Sequence, residues 1–176
     1  HLIQSHLLAQ DPSCLYFFVT IKFLFEISKN YILHGFSFFM DCDDYSDDQI
    51  REILSLSKVT VIGMSKNSSK AAHYVPKYLS DNGYDITPVN PTTDKILDKK
   101  CYSSISEIDE EIDIVDIFRP SDNVLPFVVD AIKKKPKVIW LQEGIHNLEA
   151  EELARKEGIK VIFNRCMLAE HQRLLK

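Results

Sequence analysis

The fold is decided by residues 58–89, KVTVIGMSKNSSKAAHYVPKYLSDNGYDITPV. The run Lys58–Gly63 is short, rich in β-branched residues and ends at glycine, which is typical of a buried parallel strand. Apolar residues then recur at helical spacing across Ala71–Ser80, and Asn82-Gly83 provides a helix C-terminus. A second strand is predicted at Tyr84–Val89. This order of strand, helix and strand predicts a right-handed βαβ unit.

The same alternation continues through the rest of the chain. Short apolar runs predict strands at Ile112–Phe118, Lys137–Leu141 and Ile159–Phe163, and Cys101–Ser103 is expected to form a short edge strand. Helices are predicted at Gln49–Leu56, Leu125–Ile132, residues 147–157 and Met167–Leu175. The expected N-caps are Asp47 or Asp48 for the first helix, Ser121 for the second and Asn147 for the third. We therefore expect an α/β protein with a doubly wound parallel sheet, strand order 3-2-1-4-5-6, and helices on both faces.

Composition excludes several classes of protein. The chain has 176 residues, of which 45% are hydrophobic and 27% charged, so it can bury a core and is neither disordered nor fibrous. Its net charge of −5 argues against nucleic acid as a partner. The four cysteines are scattered, without CxxC pairs or zinc spacing, so we expect reduced thiols, a cytoplasmic protein and no metal site.

The first 39 residues differ from the rest. They hold nine of the chain's 17 Phe and Tyr residues, and the first methionine is Met40. The apolar run at residues 15–25 carries Lys22 and is too short to span a bilayer, so no membrane partner is expected. We interpret residues 1–39 as an extension outside a single domain at 40–176, and upstream sequence translated in frame is one explanation. A membrane-surface or packing helix is the alternative.

Ligands of doubly wound sheets bind at the carboxyl ends of the strands. The five predicted strand ends are Gly63-Met64-Ser65-Lys66-Asn67, Val89-Asn90-Pro91, Phe118-Arg119-Pro120, Gln142-Glu143-Gly144 and Asn164-Arg165-Cys166. The first of them leads into a helix N-terminus, where free N–H groups and the helix dipole suit a phosphate. Gly63 allows close approach to the backbone, and Lys66 adds positive charge.

Some of these residues have a second interpretation. Arg119 and Arg165 both suit a phosphate, and structural pairing with Glu143 or Asp116 is the alternative. Cys166 starts a predicted helix and is either a nucleophile or a packing residue. Packing is preferred because no His/Asn pair stands beside it in the sequence. We therefore predict no catalytic residue.

The dinucleotide fingerprint G-x-G-x-x-G is absent. No second or third glycine follows Gly63, and Asn90-Pro91 stands where an acid would hold a ribose hydroxyl. The sequence therefore disfavours ordinary NAD binding but leaves other nucleotides open.

Five segments together resemble a known family. They are VIGMSKN at 61–67, GYDITPVNPTTDKILDKKCYSSISEI at 83–108, IVDIFRPSDNV at 114–124, VIWLQEGIHN at 138–147 and NRCMLAEH at 164–171. In combination they resemble the stand-alone CoA-binding domain proteins. These are similar to the nucleotide-binding domain of the succinyl-CoA synthetase alpha subunit and of NDP-forming acyl-CoA synthetases. The resemblance covers about residues 47–174 and leaves out 1–39.

The resemblance implies a Rossmann-like fold that holds coenzyme A across the strand ends. Gly63–Asn67 would face the diphosphate, and Val89-Asn90-Pro91 would lie by the adenosine. Phe118-Arg119-Pro120 would line the nucleotide cleft. Gln142-Glu143-Gly144 and Asn164-Arg165-Cys166 would face the pantetheine or close the floor of the cleft.

The sequence departs from its relatives at two positions of the first loop. Relatives often carry Ala and Pro where this chain has Met64 and Asn67. Met64 is bulkier, and we expect it to narrow the loop.

The leading functional hypothesis is a non-catalytic binding or regulatory module for coenzyme A or an acyl-CoA, with a protein partner or a second copy as possible companions. The first alternative is a subunit of an acyl-CoA-handling enzyme completed by a partner chain. The second is a NAD- or nucleotide-binding Rossmann protein. Only 12 residues follow Asn164, so ligase chemistry from this sequence alone is not expected.

Overall fold

The structure, a computed structural model, describes residues 43–176. The predicted extension at 1–39 and the predicted start of the domain at Met40 lie outside these residues. The helices described are α1 (Asp47–Leu54), α2 (Ala71–Asp81), α3 (Leu125–Lys133), α4 (Leu148–Lys156) and α5 (Met167–Leu175). The strands are β1 (Lys58–Ile62), β2 (Asp85–Val89), β3 (Lys95–Ile96), β4 (Lys99–Lys100), β5 (Ile114–Ile117), β6 (Val138–Leu141) and β7 (Lys160–Ile162). None of the helices described is long and apolar enough to cross a membrane.

Five strands form one parallel sheet in the order β2-β1-β5-β6-β7. This confirms the α/β, Rossmann-like fold, with the first two predicted strands and the last three in their expected places. The predicted edge strand Cys101–Ser103 is reduced to a single parallel bridge between Val89 and Tyr102. It is short because Ser104 caps a 3-10 helix at Ile105–Glu107, which turns the chain away from the sheet.

Helices cover both faces of the sheet, as doubly wound topology requires. On one face the core contains apolar side chains of α3 and α4 with alternate residues of the strands, among them Val128, Ala154 and Ile139. On the other face α1, α2 and α5 contribute residues such as Ile50 and Leu79. All four residues of β5 and of β6 are buried, so neither strand shows the alternation of an exposed sheet.

The helix boundaries follow the capping chemistry of the sequence, with two corrections. Ser46, not Asp47 or Asp48, caps α1, because its hydroxyl and the Gln49 side chain form a reciprocal capping box. Ser121 does not cap α3; it starts a 3-10 helix at Ser121–Asn123. The predicted cap of α4 is confirmed, since the Asn147 side chain accepts a hydrogen bond from the amide of Ala150.

A small hairpin of β3 and β4 follows β2 and was not predicted. Its turn places Leu97 and Asp98 at φ of 51° and 60°. Turns of this geometry are usually signalled by Asn-Gly or Asp-Gly, and Leu-Asp carries no such signal. The hairpin and the 3-10 helix after it place Ser103–Ile105 beside the carboxyl end of β2.

Candidate functional site

The carboxyl ends of the central strands lie in register at one edge of the sheet. Ile62 is paired with Val89 on one side and with Ile117 on the other. The backbone continues this contact past the strands, because the Gly63 amide donates to the Val89 carbonyl at 2.9 Å and the Phe118 amide donates to the Ile62 carbonyl at 2.9 Å. The first three predicted strand ends therefore meet at one place.

Gly63 is required by the neighbouring strand itself. Its φ is +85°, and a Cβ atom on this residue would stand 2.6 Å from the Phe118 carbonyl oxygen and 3.2 Å from Arg119 Nε. A side chain would have to push the ends of β1 and β5 apart. The sequence suggested that glycine is needed here so that a ligand can approach the backbone. The structure shows that the close neighbour is the Phe118 carbonyl of the same chain.

The loop after β1 is shaped by its own polar side chains. The Asn67 amide donates to Ser65 Oγ at 3.1 Å, and Asn67 Oδ1 accepts from the amide and the hydroxyl of Ser69. His73 Nδ1 lies 2.7 Å from the Ser65 carbonyl oxygen. At the end of this loop Lys70 makes no side-chain cap on α2. The His73 amide donates to the Lys70 carbonyl at 2.8 Å, but no side chain caps the helix N-terminus, which suits a phosphate there.

The expectation that the Met64 side chain narrows this loop is wrong. Its side chain is fully buried in the core with Val75 and Leu79 of α2, so its bulk is taken up below the loop. Its carbonyl oxygen accepts a hydrogen bond of 2.7 Å from Asn90 Nδ2. Asn90 Oδ1 in turn accepts from the amide and hydroxyl of Thr92. Asn90 thus ties the loop after β1 to the loop after β2.

A pocket of about 140 Å³ opens beside these loops. Its walls are mostly apolar, and they comprise Ile62, Val89, Pro91, Ser103, Ser104, Ile105, Arg119, Phe127 and Asp130. Val89, Pro91 and Arg119 were predicted as site residues. Ile62 lies in the predicted first strand but was not predicted as a site residue. The other five were missed because they come from the segment after β4 and from α3, whose position against the strand ends carries no local sequence signal.

Arg119 is the distinctive group of this pocket. Its guanidinium carbon lies 4.8 Å from the centre of the Phe127 ring, and its Nε is buried without a hydrogen-bond partner. Within the described part of the chain, no carboxylate forms a salt bridge with it, so the predicted alternative of pairing with Glu143 or Asp116 is wrong. A guanidinium over an aromatic ring at an apolar wall suits a nucleotide, whose base is flat and whose phosphates are anionic.

A larger pocket, of about 380 Å³, lies toward the amino ends of β1 and β2. Four of its six charged groups pair with one another, since Lys58 lies 3.0 Å from Glu111 and Lys99 lies 2.9 Å from Asp85. It also lies away from the edge at which parallel sheets bind ligands. We therefore take the smaller pocket as the candidate site.

The far half of the edge is braced by Gln142, which was predicted to face the ligand. Gln142 Nε2 donates to Asp116 Oδ1 at 2.8 Å, and Gln142 Oε1 accepts from the Met167 amide at 3.3 Å. Gln142 is itself 4% exposed. It therefore joins β5, β6 and the start of α5, while the neighbouring Glu143 is exposed to solvent.

Asp116 is a buried acid with one oxygen that lacks a hydrogen-bond partner. Burial raises the pKa of this carboxyl to about 7, against the hydrogen bond from Gln142 that lowers it. The folded pKa exceeds the unfolded value of about 3.9, so the proton is bound more tightly in the folded state. This contribution to stability is complete below about pH 4 and is lost as pH rises through about 7.

Asp116→Asn should remove that pH dependence. We expect the free energy of unfolding of the parent to fall by up to about 4 kcal/mol more than that of the variant between pH 4 and pH 8. Urea unfolding of both proteins at several pH values measures the difference. Parallel stability curves for the two proteins would contradict a neutral Asp116 in the folded state.

Arg165 is held by acids and is not a free phosphate ligand. Its guanidinium lies 2.8 Å from Asp43 Oδ1 and 3.6 Å from Glu170 Oε2. The predicted pairing of Arg165 with Glu143 or Asp116 is therefore wrong, because its partners come from the segment before α1 and from α5. Arg165 thus fixes the loop after β7 against the body of the domain.

Three further predicted residues lie in the last two loops of this edge. Asn164 and Gly144 join the last two loops, since the Gly144 amide donates to Asn164 Oδ1 at 2.8 Å. Cys166 is a partly buried free thiol at the start of α5. Among residues 43–176 no group of three or more His, Cys, Asp or Glu side chains is placed to hold a metal ion.

Comparison with known proteins identifies the family. Residues 57–172 match the family described as CoA binding domain. The chain belongs to this CoA-binding domain family. A similar protein is YneT of Bacillus subtilis, which is 39% identical over 127 residues, with coverage of 72% of this chain and 94% of that protein. The small CoA-binding domain thus exists as a separate protein.

Solved structures support the same assignment for this CoA-binding domain. A hypothetical protein from Pyrococcus horikoshii is 40% identical with a TM-score of 0.74, covering 78% of this chain and 96% of that one. The protein in the structure of cell-free ID.343 from Thermus thermophilus is 35% identical in sequence with a TM-score of 0.71. The match covers 74% of this chain and 99% of that one.

The CoA-binding domain is also related to larger enzymes. An ADP-forming acetate–CoA ligase of Archaeoglobus fulgidus is 35% identical over 130 residues. The match covers 67% of this chain and 19% of the ligase. The chain therefore corresponds to one part of such a ligase.

Proposed function

We propose that this domain binds coenzyme A or an acyl-CoA at the carboxyl edge of its sheet and acts as a non-catalytic binding or regulatory module. Its scattered cysteines, of which Cys101 and Cys166 are free thiols, fit a cytoplasmic protein. The observation that carries the proposal is the position of the Arg119 guanidinium, which lies over the Phe127 ring in an apolar pocket. The pocket adjoins Gly63, where the loop toward the uncapped N-terminus of α2 begins.

The ligand would cross the edge from the pocket toward β7. The adenosine would occupy the pocket between Val89, Pro91 and Phe127, which offers apolar walls for a flat base. The diphosphate would lie at the N-terminus of α2, beside Ser65 and Lys66. The pantetheine would then run over the ends of β5, β6 and β7, where Phe118, Pro120, Glu143 and Asn164 stand. In this arrangement Asn90, Gln142 and Arg165 hold the loops in place.

An enzyme subunit is the second candidate, and the match to part of an ADP-forming ligase favours it. A partner chain would then supply the remaining chemistry. The sign of such a partner is an ATP-binding chain that co-purifies with this one. A domain at 40–176 with a dispensable segment 1–39 remains part of our proposal, since neither function uses that segment.

Calorimetric titration of coenzyme A, dephospho-CoA and NAD into the full chain tests the proposal. We expect coenzyme A to bind one to one and at least about tenfold more tightly than NAD, a difference of about 1.4 kcal/mol. NAD lacks the pantetheine and is expected to lose the contacts along β5, β6 and β7. Tighter binding of NAD would favour the nucleotide-binding alternative, and no binding of coenzyme A would refute the proposal.

A further inference from the structure

A histidine and a buried glutamate form a pair between the loop after β6 and α4. His146 lies in the loop after β6, and its Nδ1 is 2.7 Å from Glu151 Oε1 on the first turns of α4. The Glu151 side chain has no exposed surface, whereas the His146 side chain is 44% exposed. A buried carboxylate thus holds a solvent-facing imidazole.

The pair is rigid on the carboxylate side. Glu151 Oε1 also accepts the Asn147 amide at 2.9 Å, and Arg155 lies 3.8 Å from Oε2, which has no hydrogen-bond partner. The imidazole ring packs on Phe163 with centroids 4.8 Å apart. Glu151 is the charged group in contact with the His146 ring, and Arg155 lies over the Phe163 ring on which His146 packs.

This arrangement fixes the chemistry of the imidazole. Where Glu151 is ionised it only accepts hydrogen bonds, and Nδ1 of His146 is then the nitrogen that donates to it. In the neutral ring Nε2 is then the proton acceptor. Within residues 43–176 no group hydrogen-bonds to Nε2 of His146. The same logic, in which a carboxylate orients an imidazole for proton transfer, operates in nucleophile–histidine–acid sites.

The loop that carries His146 belongs to the candidate site. The His146 amide donates to Ser121 Oγ at 3.0 Å, which connects it to the end of β5. The Asn164 amide donates to the Ile145 carbonyl at 3.1 Å, which connects it to the end of β7. His146 follows β6, which lies two strand spacings from β1, or roughly 10 Å. A ligand whose phosphates lie at β1 would bring its far end to His146.

We propose that His146 Nε2 accepts the proton of the coenzyme A thiol and that Glu151 is its positioning residue. The inference rests on the coenzyme A binding of the proposed function and replaces its non-catalytic role with the enzyme-subunit role, the second candidate. The S–H bond breaks, its electron pair stays on sulfur and the proton bonds to Nε2, which gives a thiolate beside an imidazolium. No oxidant or further reactant takes part. The domain would then present coenzyme A as a nucleophile for an acyl group.

The thiolate absorbance of bound coenzyme A, titrated against pH, tests this assignment. The full chain saturated with desulfo-CoA provides the blank for Cys101, Cys166 and the other protein thiols. The variants are His146→Gln and Glu151→Gln, and Glu152→Gln, an exposed acid on the same helix, is the matched control. Calorimetry of coenzyme A binding accompanies each titration.

We expect the pKa of the bound thiol to lie about 1–3 below that of free coenzyme A. His146→Gln should return it to the free value, Glu151→Gln should raise it part of the way, and Glu152→Gln should leave it unchanged. The affinity for coenzyme A should change much less than the thiol pKa. Coenzyme A that binds the parent but titrates as in free solution would overturn this inference alone. Failure of the parent to bind coenzyme A would overturn the proposed function as well.

Discussion

Gly63→Ala should destabilise the domain by about 2–5 kcal/mol, a large fraction of the stability of a domain this size. A left-handed backbone costs a residue with a Cβ atom about 1–2 kcal/mol. The Cβ atom that this substitution adds would also meet the Phe118 carbonyl oxygen at 2.6 Å, and overpacking of this kind costs about 1–3 kcal/mol. Urea unfolding of the full chain measures the sum.

Gly158→Ala is the matched control for that measurement. Gly158 has a φ of +77°, close to that of Gly63, but nothing lies within 4 Å of its added Cβ atom. The control should lose only the backbone cost of about 1–2 kcal/mol. Equal destabilisation of the two variants would show that the contact with Phe118 does not constrain Gly63. Because Gly63 supports the fold, its variants do not test ligand binding cleanly.

Arg119→Ala should weaken coenzyme A binding by about ten- to a hundredfold. Loss of a hydrogen bond to a charged group costs about 1.5–3 kcal/mol, and the variant also loses the contact with the Phe127 ring. Folding should be little affected, because Arg119 Nε has no partner to lose. Calorimetric titration of coenzyme A into the variant gives the affinity, and its unfolding temperature gives the stability.

Lys66→Ala is the comparison for Arg119→Ala. Lys66 stands on the exposed loop after β1, so its contribution should be smaller and should shrink as salt rises. Arg119 lies in a pocket, and its effect should persist at high salt. If both variants bind coenzyme A like the parent, Arg119 does not contact the ligand and the pocket is not the nucleotide site.

The order of the sheet was predictable because each central strand is a short apolar run between turn signals. Lys58–Ile62, Ile114–Ile117 and Val138–Leu141 are almost wholly buried, and apart from Lys58, Thr60 and Asp116 they consist of apolar residues, most of them β-branched. The β3–β4 hairpin was not predictable, because Leu97 and Asp98 take left-handed conformations without the usual turn residues.

The candidate site was predictable in place but not in the role of each residue. Parallel topology brings all strand ends to one edge, which is how Gly63, Asn90 and Arg119 could be grouped from sequence. Whether a polar side chain faces the ligand or the protein depends on partners that are distant in the chain. Arg165 pairs with Asp43, 122 residues away, and no local pattern announces that contact.

His146 was likewise not predicted as a site residue. Its partner Glu151 lies on the adjoining helix, five residues on, and on a helix face that is buried. An acid among the first turns of a helix usually indicates a favourable interaction with the helix dipole. Glu151 is buried only because α4 packs on the sheet, so its role in holding His146 could not be predicted from the local sequence.

The central claim is that coenzyme A lies across the carboxyl ends of β1, β2 and β5. Amide hydrogen exchange of the full chain, with and without saturating coenzyme A, tests it most directly. We predict slower exchange at residues 63–72, 89–92 and 118–121 when the coenzyme is bound, and unchanged exchange at 108–112, beside the larger pocket. Protection at 108–112 with none at the strand ends would contradict the account.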